Sequence, residues 1–487
     1  LNTAIIRNVA VNISVQILTA IAGFILPPLI IAAYGSTQNG MVVSISQFIA
    51  YLTVMGSGIS AASIAALVKP IYDNDKNKIN SILAATQNFY SKSGLIFTFM
   101  ILLLIFVYPF IIAGEDIDKP TAGLMVLVIS FNGIIDFFVI GKYRALLVAD
   151  RKYFIMGIFK IIALIINTTV SIILIENGNS LLFVKFISVF IFVLNNILVL
   201  IYVRKTYPFI NLKTKFEKNT LEQRWDVMYH HFCGMVVANS PLILLTVLCS
   251  LKEVSIYSIY ALIFFAVGQL IDTFFDGMQG FFGRFIAENN PEKLKKIYGK
   301  YETVYFSLIG IGYTCALIFT IPFMRIYTVN MTDANYIQPT LAALFAIVGV
   351  MSKIRNPSDM FVVSAGHFKQ TKWRSVAEAV INIFASIFFV IKLGFTGVLL
   401  GAVCSFSYRT LDMIIYSSRH IVHNSLSATF AKIIVFGIWY CAGYFILSNF
   451  VISDIKNYFD FAKNALVSIV FLSVPILGYL FFVKFKL

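Results

Sequence analysis

Long apolar runs separated by short polar connectors recur along the whole chain. A helix needs about 20 apolar residues to cross a hydrocarbon core, and by that ruler about fourteen runs qualify. The first six lie near residues 7–33, 40–67, 90–113, 121–148, 154–175 and 181–203. The next six lie near 227–249, 256–282, 303–327, 337–365, 376–392 and 398–418, and a last pair near 433–450 and 464–483. Membrane β-barrels show alternating segments of about ten residues, whereas these runs are longer and continuous. The pattern predicts an all-α integral membrane protein. The opening run reads as a first span, being too long for a signal peptide and without a small-residue cleavage pattern.

Shifting the chain by 215 positions brings several features into register, which marks an internal repeat. "YDNDKNKI" (Tyr72–Ile79) falls on "AENNPEKL" (Ala287–Leu294), Lys69 on Arg284, and Asn167 on Asn382. Each copy holds six spans, an even number, so the two six-helix bundles run the same way through the membrane as a parallel repeat, with a C-terminal helix pair outside the duplication. The expected division is an N-terminal bundle at 1–203, a linker at 204–226, a C-terminal bundle at 227–418 and a two-helix segment at 419–487. Alternate opening of a cleft between two such repeats is the usual working of this geometry. Pro27, Pro28 and Pro241 remove backbone donors in the opening helix of each half and are candidates for bending it.

Composition agrees with the hydropathy. Of 487 residues, 59% are hydrophobic and only 13% charged, about half the charged share of a soluble domain. The net charge of +15 is spread rather than gathered into a nucleic-acid patch. About 23 of the 38 Lys and Arg lie in the connectors that follow even-numbered spans, in the link between the repeats and at the C-terminus. That asymmetry puts both termini and the basic connectors in the cytoplasm, facing anionic lipids. The five Cys are scattered without C-x-x-C spacing, so neither a disulfide framework nor a metal site is expected. No Walker A, Ser/His/Asp or H-E-x-x-H pattern is present, and no enzyme activity or cofactor is expected.

Charges inside spans carry the candidate chemistry, because each costs about 2.5–3.5 kcal/mol at bilayer depth and normally faces a bundle interior or water. Asp136 and Arg409 fall near the middle of their spans, and Lys353 and Arg355 lie in "MSKIRNPSDM" (Met351–Met360) within the tenth. Arg355 and Asp359 are four apart and Arg409 and Asp412 three apart, so each pair can neutralise itself on one helix face. Asp272 and Asp276 share a face as like charges and need a cation or proton from elsewhere. Lys142, Arg144 and Lys160 lie close enough to a span end to snorkel. Lys353 and Asp136 have no opposite charge three or four positions away. Two readings stand for them: pairing with another helix, Asp136 with Lys353, Arg355 or Arg409, or a wet cavity that meets an anionic ligand.

The fourteen spans, the duplication and the basic connectors together resemble the multidrug/oligosaccharidyl-lipid/polysaccharide exporter superfamily, in particular its O-antigen and capsule repeat-unit flippases. "YGSTQNGMVVSI" (Tyr34–Ile45) is similar to the G-x-x-x-x-G turn of that branch. "ADRKYFIMGIFKIIALIIN" and "SAGHFKQTKWRSVAEAVIN" resemble its "A-G-[KR]…N" turn, the first departing with Asp150 in place of Gly. The resemblance implies transfer of an undecaprenyl-diphosphate-linked oligosaccharide to the outer leaflet of a bacterial cytoplasmic membrane, driven by an ion gradient, in synthesis of O-antigen (lipopolysaccharide), capsule or exopolysaccharide. It implies a polysaccharide polymerase and other glycan assembly proteins as partners. On that basis Lys353, Arg355 and Arg409 are the candidate substrate contacts and Asp136 the candidate ion-coupling site. A multidrug cation antiporter or a lipid II flippase of the same superfamily, or a non-transporting scaffold for glycan assembly, are the alternatives.

Overall fold

The computed structural model describes residues 2–112, 114–214, 224–275, 278–288, 290–451 and 458–474. Among these the regular structure is entirely helical, as the hydropathy requires. The chain forms two compact units, Leu1–Ser255 and Ile256–Leu487.

The first unit contains α1 (Asn2–Tyr34), α2 (Ser36–Thr53), α3 (Ser57–Tyr72), α4 (Lys76–Ile111), α5 (Lys119–Ile135), α6 (Gly141–Ala149), α7 (Tyr153–Glu176), α8 (Leu181–Thr206) and α9 (Arg224–Leu248). α10 (Leu251–Phe275) begins in it. The second unit holds the rest of α10, then α11 (Gln279–Ala287), α12 (Pro291–Tyr327), α13 (Pro339–Ile354), α14 (Asn356–Ser364), α15 (Phe368–Leu393), α16 (Gly397–Ser417), α17 (Leu426–Val451) and α18 (Tyr458–Leu472). Joined across their breaks, these helices fall in the fourteen predicted places. Nine stretches of the described residues pass a strict test of length and apolarity, ten with the α2–α3 pair, which bends by 49°. The stricter count is lower because α15 and α16 merge into one 53-residue stretch, because α13, α14 and α18 are individually short, and because the apolar part of α9, Phe232–Leu248, is short as well. The protein is a multi-pass membrane protein.

The duplication reappears in the backbone. Asp75 caps α4 by accepting from the Lys78 amide at 2.9 Å, and Asn290, 215 positions on, caps α12 by accepting from the Lys293 amide at 3.0 Å. Each cap satisfies a donor that a helix N-terminus leaves free. The fourth span breaks in a π-helical turn at Asp136–Ile140, and the tenth breaks at Arg355, the position that repeats Ile140. In the tenth span the cause is Pro357, which has no N–H for the Lys353 carbonyl. By contrast α1 runs through Pro27 and Pro28, and α9 through Pro241, without interruption of the helix.

The Gly35 to Gly40 turn explains both of its glycines. Gly35 has φ +85°, a backbone state that a side chain disfavours. A Cβ on Gly40 would lie 1.9 Å from the Leu251 carbonyl oxygen, so only glycine lets α2 approach the start of α10. Nearby, Thr246 donates to Ser44 at 2.8 Å and Tyr51 to the Val236 carbonyl at 3.0 Å, fixing α9 against α2. At the opposite end of the unit, the segment after α8 is tied down by Asn80, which donates to the Phe209 carbonyl and accepts from the Asn211 amide, both at 3.0 Å. Tyr207 donates to Asp150, which pairs with Lys152 at 2.8 Å. Burial, and then that hydrogen bond, push the Tyr207 hydroxyl well above the usual tyrosine range.

Candidate functional site

The break at Arg355 puts the charges of the tenth span at the centre of two ion clusters in the second unit. Lys353, on the last turn of α13, pairs with Asp272 of α10. Asp272 also accepts from Tyr305 and from Asn356, each at 3.3 Å, and Asn356 donates to Tyr305 at 2.6 Å. The lysine side chain is 18% exposed and the aspartate 31%, so the pair is largely withdrawn from solvent without being sealed.

The second cluster joins α14, α15 and α16. Glu378 is its hub: it pairs with Arg355 through one oxygen and with Arg409 through the other, the latter at 3.5 Å. Arg355 also meets Asp359 at 3.2 Å, and Arg409 meets Asp412 at 3.8 Å. Arg374 pairs with the remaining oxygen of Asp412 and lies over the Tyr416 ring at 4.7 Å. Three arginines therefore face three carboxylates. Both predicted pairs within a helix form, and Glu378 links them between helices.

The first unit carries an ion pair of its own within a span. Asp136, without a base three or four positions away, pairs with Arg144, eight residues on in the same span. This corrects the expectation that its partner lies on another span. Arg144 accordingly does not snorkel freely. Lys142 is buried: its ammonium donates to the Phe138 carbonyl at 3.2 Å and lies over the Tyr143 ring at 4.7 Å. Asp276 lies outside the described residues.

No family model matches the sequence, and no curated protein matches it. Solved structures do match. A lipid II flippase, MurJ, in its inward closed conformation superposes with a TM-score of 0.67 at 14% identity, over 97% of this chain and 100% of its own. An inward-facing multidrug resistance MATE family transporter of the MOP superfamily gives 0.59 at 12% identity, over 85% of this chain and 96% of its own. A MATE in the straight conformation gives 0.53 at 14% identity, over 88% and 96%. The chain shares the fold of these three structures.

Two further features escaped sequence reasoning. Glu302 of α12 is fully buried and bound by Lys432 of α17 at 2.9 Å and by Thr429 at 2.7 Å, so it anchors the extra helix pair to the bundle. The signal was its place in the stripe Tyr298, Glu302, Tyr305, Ile309, spaced as one buried helix face. Arg374, read only as a connector charge, closes the second ion cluster. Helical spacing offers it Glu378, four residues on, but Glu378 pairs with Arg355 and Arg409 instead, and the partner of Arg374 is Asp412 of α16.

Proposed function

We propose that the protein is a flippase that carries an undecaprenyl-diphosphate-linked oligosaccharide repeat unit from the inner to the outer leaflet of the bacterial cytoplasmic membrane, by alternating access coupled to an ion gradient. Both termini then face the cytoplasm, and a polysaccharide polymerase and other glycan assembly proteins act beside it. The shared fold with a lipid II flippase over nearly the whole chain supports this reading. One observation carries it over drug export: among the described residues, Asp136, Asp272, Asp359, Glu378 and Asp412 each face a cation. An exporter of cationic drugs needs a deep carboxylate left open for its cargo, whereas an anionic cargo needs cations that can exchange partners.

The second unit also suits an amphiphile. α12, α13 and α17 line an open hollow of about 510 Å³ whose walls, including Phe306, Tyr313, Val350, Phe436, Tyr440 and Phe445, are almost wholly apolar. A polyprenyl chain matches such walls. In this reading Lys353, Arg355 and Arg409 contact the diphosphate or an acidic sugar by exchanging a carboxylate for it. Asp136 is the coupling site, since a proton on it breaks its pair with Arg144. Deleting the gene should trap lipid-linked repeat units on the inner leaflet and leave drug susceptibility unchanged. Normal surface glycan with altered dye efflux would overturn the reading. Lipid II trapped in place of the repeat unit would favour the second reading, a lipid II flippase.

A further inference from the structure

Where α1, α6, α7 and α8 meet in the first unit, the chain leaves a hollow of about 300 Å³. Its polar walls come from Asn12, Arg144, Tyr153, Lys160, Asn195 and Asn196. Close packing builds it: a Cβ on Gly157 would lie 2.4 Å from Val11, so the glycine lets α1 lie against α7. Asn8 fixes the same contact, donating to the Arg151 carbonyl at 2.8 Å and accepting from the Phe154 amide at 2.7 Å.

The charge balance of this hollow differs from that of the clusters in the second unit. There, each cation meets a carboxylate. Here the walls hold two cations, Arg144 and Lys160, and no carboxylate; Arg144 alone has an acidic partner, Asp136. Lys160 is exposed and has no carboxylate partner among the described residues. The Asn195 amide oxygen is buried without a hydrogen bond, so this amide can turn to present its donors. A guanidinium fork, an ammonium, a phenol and three amides around one space match the oxygens of a phosphate.

Depth narrows the source. Lys160 lies seven residues into α7, about 10 Å along the helix axis from the polar α6–α7 connector, a depth from which its long side chain can reach back to lipid headgroups. We infer that this hollow binds the phosphate of a lipid, and, resting on the flippase reading, that it receives the diphosphate of the carried lipid as that enters from the side of the basic connectors. Arg144 then exchanges Asp136 for the phosphate, while Lys160 supplies the second cation.

The test uses the full chain in phosphatidylcholine nanodiscs, titrated separately with farnesyl diphosphate, dioleoyl phosphatidic acid and inorganic pyrophosphate, with binding read by native mass spectrometry. Lys160→Gln and Asn12→Ala carry the test, because neither breaks an ion pair; Arg144→Gln is added where its melting temperature matches the wild type. Farnesyl diphosphate affinity should fall about tenfold in Lys160→Gln, the loss expected for one charged hydrogen bond. A parallel loss for phosphatidic acid marks a general lipid-phosphate site, and a parallel loss for pyrophosphate shows that the phosphate alone suffices; both uphold the site. Unchanged affinity for all three probes in both folded variants would overturn it. Variant-sensitive binding in a protein whose deletion leaves glycan export intact would uphold the site and sink the transport reading.

Discussion

Arg144 reaches back eight residues to pair with Asp136, across the π-helical turn that breaks the fourth span. Each side chain is about one-third exposed, so water screens the pair and its worth is about 1 kcal/mol or less. Asp136→Asn should therefore lower the melting temperature only slightly while abolishing ion-driven transport. Wild-type export by this variant would remove Asp136 from the coupling role.

Glu378 holds two arginines at 7% exposure. Breaking a buried pair by removing one partner costs about 3–5 kcal/mol, because a charge is left uncompensated. Glu378→Gln should thus destabilise the protein far more than Asp359→Asn, whose Arg355 keeps Glu378. Thermal unfolding in detergent gives the order. The reverse order would show that Glu378 is not the hub.

The Glu302–Lys432 pair makes a separate prediction for the C-terminal helices. Glu302→Ala strands Lys432 against α12 and should cost about 3 kcal/mol. Adding Lys432→Met removes the stranded charge and should recover part of that loss, so the double variant melts above Glu302→Ala alone. Strictly additive losses would contradict a direct pair.

Gly349 tests the packing beside Lys353. A Cβ there would lie 2.0 Å from the Tyr313 ring, so Gly349→Ala should cost about 1–3 kcal/mol, and Tyr313→Leu should relieve it. A Cβ on Gly437 meets nothing within 4 Å, and Gly437→Ala should gain up to about 1 kcal/mol from helix propensity alone. Equal melting shifts in the two variants would contradict the contact.

The fold was legible because bilayer thickness and hydropathy alone place the helices, and because Asp75 and Asn290 keep the same cap in both repeats. The local ion pairs were legible for a similar reason: Arg355 with Asp359 and Arg409 with Asp412 follow from helical spacing. What spacing cannot give is a partner brought by packing. Lys353 and Asp272 are 81 residues apart on different helices, and Glu378 reaches Arg355 from a neighbouring one. Asp136 and Arg144 were hidden differently. They share a span, but the π-helical turn between them changes which residues face each other, and the i to i+4 rule presumes a regular helix.

The stretch around Lys353 bears most directly on transport. The protein reconstituted in liposomes with a polyprenyl-diphosphate-linked oligosaccharide on one leaflet, under an imposed ion gradient, can be followed by a glycosidase confined to the opposite side. The account predicts time-dependent exposure of the glycan to the enzyme, lost in the Lys353→Ala, Arg355→Ala double variant. Glycan that stays protected with the wild-type protein, while the same liposomes accumulate a cationic dye, would contradict it.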